Sequence, residues 1–122
     1  MSPHDFDRLV EEAMDIIPPR FRGRLKNLLF VVETEPREPG LLGLYEGRPE
    51  TERSLSEPSR GPDRITIYQG PHERASRNME ELRRLVEETI WHEVAHYFGL
   101  NEREVLRAEN RRRRRISRMR GL

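Results

Sequence analysis

Apolar residues are sparse along this chain, and they fall into a few periodic clusters separated by polar, proline-rich stretches. Phe6, Leu9, Val10, Ala13, Met14 and Ile17 recur at helical spacing, which predicts a helix over residues 5–17. Asp5 is a candidate N-cap, and Pro18-Pro19 ends the element. The run Leu28-Leu29-Phe30-Val31-Val32, within residues 25–33, suits a buried strand. A second short strand is expected at residues 43–46. A third, residues 64–69, alternates apolar and polar positions as a half-exposed or edge strand does, and Gly70-Pro71 closes it. Between the last two lies a long stretch, Gly47 to Asp63, with little to bury; a connection of that length in a small domain is a functional loop or a mobile one.

The longest periodic segment begins near Asn78. Its side chain can cap a helix while Glu81, three residues on, resembles the partner in a capping box. Met79, Leu82, Val86, Ile90, Val94 and Tyr97 make the apolar stripe of this helix, and Gly99 is placed to end it in a left-handed turn. Asn101 and Glu104 begin a further helix, running from about Glu102 into the arginines.

Composition narrows the classes. A chain of 122 residues fits one domain, 1–122, with a modest core. Only 34% of residues are hydrophobic and 37% are charged, and no apolar run is long enough to span a membrane. The N-terminus lacks the basic and apolar regions of a secretory signal, so a cytoplasmic location is expected. The absence of cysteine excludes disulfides and thiolate metal sites. The net charge of +1 conceals an asymmetry. Residues 1–102 hold 14 basic and 20 acidic side chains, whereas residues 103–122 hold nine arginines and two glutamates. Arg111 to Arg115 are consecutive; such a block is a solvated, basic tail (about 111–122) or a contact for nucleic acid or another acidic partner.

The candidate chemistry lies at residues 92–96, His-Glu-Val-Ala-His. Histidines four apart on a helix share one face, so His92 and His96 can reach one metal ion, Zn2+ being the expected one. Glu93 is then placed as general base toward a water at that metal. A hydrolytic zinc also needs a third protein donor. Glu102, shortly after the turn at Gly99, is the first choice; Glu109 is the alternative, and His72 and His4 are weaker ones, His72 reading more readily as a surface histidine. Tyr45, Tyr68 and Tyr97 are the hydroxyls available to an oxyanion, with Tyr97 falling on the buried stripe.

The spacing from His92 to Glu102 resembles the zincin metallopeptidases, with metzincin-like spacing and an acidic residue in place of their third histidine. The chain is more similar still to a small bacterial family of minimal zincin-like metallopeptidases, through residues 30–33, 42–47, 65–71 and 92–100. The resemblance implies an α+β fold: a small mixed sheet packed on an active-site helix, with N- and C-terminal helices and an edge strand near the cleft. It implies metal ligation by His92, His96 and an acidic residue after Gly99, with Glu93 as base. On that reading the activity is zinc-dependent peptide hydrolysis, with an extended peptide or protein substrate pairing along Ile65, Thr66, Ile67 and Tyr68. Two other readings stand beside it, a metal-dependent RNA-processing or nucleic-acid-binding protein and a non-catalytic metal-binding domain.

Overall fold

The structure is a computed structural model that describes residues 1–47 and 62–99 together with Arg103 and Arg107. Its elements follow in the order α1 (Pro3–Ala13), a single 3₁₀ turn (Met14–Ile16), α2 (Pro19–Arg22), β1 (Leu28–Glu33), β2 (Gly43–Glu46), β3 (Asp63–Tyr68), α3 (Gln69–Arg74) and α4 (Met79–Tyr97). The expected loop at 47–63 lies largely outside the described residues, as do Glu102, Glu109 and the arginine block. Of the helix expected from about Glu102, the structure describes Arg103 and Arg107, both helical and exposed.

The three strands form one mixed sheet in the order β1-β3-β2. β1 runs parallel to β3, with Phe30 opposite Ile65 and Val32 opposite Ile67; β2 runs antiparallel to β3, with Gly43 opposite Ile67 and Tyr45 opposite Ile65. This overturns two expectations. The alternating segment is the central strand, and Ile65, Thr66, Ile67 and Tyr68 are all buried. The continuous apolar run, by contrast, is at an edge, with Leu29 exposed. The physical reason is that β3 has hydrogen-bonded neighbours on both sides, which buries its residues from Ile65 to Tyr68, while Arg64 near its start stays exposed. Thr66, small and β-branched, sits in such a position without a large desolvation cost.

α1 begins two residues earlier than expected. Ser2, not Asp5, is the cap: its hydroxyl accepts from the Asp5 amide at 3.0 Å, and Pro3 occupies the first helical position, where a missing N–H costs nothing. Pro18 and Pro19 do end the first helical stretch, but Pro19 also opens α2. Gly70 and Pro71 do not simply close β3. They lie in the first turn of α3, where proline is tolerated and so begins a helix as readily as it stops a strand.

The core is where α1, α4 and the sheet meet. Phe6, Leu9, Val10, Ala13 and Ile17 pack with Ile65 and Ile67 and with Leu82, Val86, Ile90, Val94 and Tyr97. Five of the six residues of the α4 stripe are buried; Met79, in its first turn, is 57% exposed. Asn78 caps α4 by accepting from the Glu81 amide at 2.9 Å. The helix closes through Gly99, whose φ of +79° is the left-handed conformation that favours glycine.

Candidate metal centre

Because α4 turns its apolar stripe into the core, the flank of that stripe decides what the cleft sees. His92 and His96 are half-buried on this flank, and Glu93, one step round toward the core, is only 7% exposed. The two imidazoles meet edge to face, with Nε2 of His92 and Nε2 of His96 3.1 Å apart. One donor atom from each of His92, Glu93 and His96 falls within 4.8 Å of the others. Two nitrogen ligands of one tetrahedral ion, each about 2.0–2.1 Å from it, stand about 3.3 Å apart. The observed separation therefore fits a shared ion, and the set of two imidazoles with a neighbouring carboxylate suits a borderline metal such as zinc. The three side chains can hold a metal ion.

The opposite wall is made by β2 and the segment leading into it. Gly43 approaches α4 so closely that a Cβ there would lie 2.7 Å from Cγ2 of Thr89 and 3.3 Å from Cγ of Glu93. Glycine at 43 is what lets the strand lie directly against the helix. A cleft of about 380 Å³ opens between the Gly40–Gly43 segment and the α4 residues Leu85, Glu88, Thr89, His92 and Glu93. A second hollow, on the other side of Leu42, is walled by Pro36, Pro39 and Pro71 and by the bidentate pair of Arg74 with Glu35, at 2.7 and 2.8 Å.

His72 is not a surface histidine. It is fully buried, and its ring bridges the end of β3 to α4, with Nδ1 2.7 Å from the Tyr68 carbonyl and Nε2 2.8 Å from Thr89 Oγ1. A carbonyl only accepts, so Nδ1 carries a proton. Burial holds the His72 pKa below the ordinary histidine value, partly opposed by the bond to Tyr68. In the neutral ring Nε2 accepts, and the Thr89 hydroxyl donates to it. The same hydroxyl lies 3.0 Å from the Leu85 carbonyl, which it serves only when His72 is protonated. His72 therefore supports the cleft from behind and is not among the side chains that meet at the centre. His4 is exposed on α1 and is likewise not among them.

The other sequence expectations divide. Tyr97 is core, donating to the Lys26 carbonyl at 2.9 Å, and the Tyr45 hydroxyl donates to Asp63 Oδ2 at 2.7 Å. Tyr68 is buried on the central strand. The pairing of a peptide along Ile65 to Tyr68 is excluded by the register, since both edges of β3 are taken by β1 and β2. Sequence reasoning missed the role of Gly43; the G-x-Y pattern of residues 43–45 carries no periodic signal of how close the helix comes.

Residues 25–112 match the model of the zincin-like metallopeptidase family. The chain belongs to that family. The match begins just before β1 and runs through the sheet and the whole of α4, so the elements that build the centre all lie within it. The fold is thus an α+β zincin-like domain. No curated protein matches the chain. Among the described residues no helix is long and apolar enough to cross a membrane.

Proposed function

We propose that this zincin-like chain is a zinc-dependent peptidase in which His92 and His96 hold the metal and Glu93 is the general base. The observation that carries the reading is the 3.1 Å approach of the two Nε2 atoms beside the buried carboxylate of Glu93, on a helix flank that opens into a cleft. The third ligand is assigned to Glu102, with Glu109 as the alternative; both follow Gly99, whose left-handed φ ends α4. When bound, a zinc ion supplies Lewis acidity, which polarises a carbonyl and makes water a better nucleophile at neutral pH.

The protein's own part is orientation and proton transfer. Glu93, held against Gly43, takes a proton from the attacking water and passes it to the nitrogen of the departing amine. The strand that presents the substrate is β2 instead of β3. Among the described residues β2 pairs with β3 alone, and it lies directly against α4, so an extended peptide adding to its outer edge would run past the centre.

The test is to load the full chain with zinc and incubate it with a diverse peptide library, reading products by mass spectrometry. New amino termini that disappear in Glu93→Gln are the expected result. A zinc-loaded protein that cuts no peptide would overturn the reading.

A further inference from the structure

We infer that β1 is an interface strand: the protein forms a two-fold dimer in which the outer edges of two β1 strands pair antiparallel about Phe30. The partner is a second copy of this chain, and the inference stands apart from the peptidase reading.

β1 lies at one end of the sheet, and among the described residues it pairs with β3 alone. The Asn27 carbonyl accepts from the Asp63 amide at 2.9 Å, so the other side of that peptide plane, the Leu28 amide, points away from β3. By the alternation of a strand, the backbone groups of Phe30 and Val32 point outward as well. Edge strands are ordinarily kept from pairing by proline, by a charge, by a bulge or by being very short. Between Leu28 and Val32 there is no proline, no charge and no bulge, and the strand keeps an unbroken register with β3 over six residues. All five residues of that run are apolar and all are at least partly exposed, Leu29 by 49%.

The pattern along the strand is complementary to itself. A two-fold axis perpendicular to the sheet sets residues of the same face opposite each other. Centred on Phe30, it pairs Leu28 with the partner's Val32 and Leu29 with the partner's Val31, so apolar meets apolar throughout. The outward backbone groups of Leu28, Phe30 and Val32 then form the hydrogen-bonded pairs. Centred on Val31, the same operation would set Leu29 against the carboxylate of Glu33. Charge agrees with the antiparallel sense. Lys26 leads into β1 and Glu33 ends it, both exposed, and pairing about Phe30 brings each Glu33 beside the partner's Lys26. A parallel pairing would set like charges together. The joined sheet runs β2-β3-β1-β1-β3-β2, which leaves the outer edge of each β2, and the centre it lies against, away from the interface.

The test is analytical ultracentrifugation of the full chain from low micromolar to millimolar concentration, with each variant shown by circular dichroism to be folded. The expected result is a mass that rises from one chain to two. Leu29→Lys, at an exposed position, should weaken the dimer by about ten-fold or more, since an edge lysine opposes strand pairing. Lys26→Glu should weaken it by about five-fold, and adding Glu33→Lys should restore it. The chain has no cysteine, so Leu29→Cys together with Val31→Cys reads the register directly. Pairing about Phe30 sets these two positions opposite each other at about 4.5 Å between Cα atoms, within reach of a disulfide, and mild oxidation should cross-link the double variant far more than either single one. A protein that stays monomeric over the whole range, or a dimer indifferent to Leu29→Lys and to the charge exchange, would overturn the inference. Efficient cross-linking through Val31→Cys alone would overturn the pairing about Phe30.

Discussion

His72 and Thr89 are separated by 17 residues, yet their side chains meet at 2.8 Å inside the core and join the end of β3 to the helix that carries His92 and His96. This contact explains why a histidine in a polar stretch is fully buried: both ring nitrogens have partners, so its desolvation is compensated. Asparagine at 72 can still donate to the Tyr68 carbonyl but does not reach Thr89; glutamine can reach Thr89. His72→Asn should lower stability by about 1–3 kcal/mol, with His72→Gln losing less. Urea denaturation of the two variants checks the order; equal losses would place the stabilisation in the Tyr68 bond alone.

The same residue sets a pH dependence. Its pKa is lower in the folded protein than in the unfolded chain, so the unfolded chain binds more protons at mildly acid pH. The contribution of neutral His72 is fully present above the unfolded value of about 6.5 and is lost as pH falls through the depressed folded value. Stability of the wild-type protein should therefore decline below about pH 6.5 more steeply than that of His72→Gln. Parallel profiles of the two proteins would contradict this.

Gly43→Ala introduces a methyl 2.7 Å from Cγ2 of Thr89 and 3.3 Å from the Thr66 carbonyl oxygen, the latter being backbone that does not yield. Overpacking of this kind costs about 1–3 kcal/mol. The expected outcome is a lower thermal midpoint together with shifted methyl resonances of Thr89. An unchanged midpoint would mean that β2 moves off the helix freely.

These two sites show what the sequence could carry. The α4 stripe, its cap at Asn78 and the turn at Gly99 are local signals, and Leu82 to Tyr97 pack as their spacing implies. Because His92 and His96 share a helix, their meeting needs only the helical period, so it too was legible. Sheet order was not. The polarity of residues 64–68 reports composition, whereas burial is set by which strands flank them, and that depends on a parallel pairing across 35 residues from Leu28 to Asp63. His72 was misread for the same reason: its partners, Tyr68 and Thr89, come together only when α3 packs on α4. Glycine at 43 likewise has no meaning until the helix stands against it.

Asn78→Ala removes the side chain that accepts from the Glu81 amide. A loss of about 1 kcal/mol is expected, with the metal content unaffected because the cap lies about five turns from His96. Denaturation and elemental analysis of the same preparation check both halves.

Glu93→Gln should bind metal as the wild-type protein does while hydrolysis falls by about 10²–10⁴-fold, since an amide cannot accept the water's proton. Retained activity in this variant would remove Glu93 from the role of base.

The most direct measurement is elemental analysis of the purified, zinc-reconstituted chain beside His96→Ala and Glu102→Ala, each shown by circular dichroism to be folded. The account predicts about one zinc per wild-type chain, lost in His96→Ala and weakened or lost in Glu102→Ala. Wild-type protein that holds no zinc, or His96→Ala that holds as much as the wild type, would contradict it.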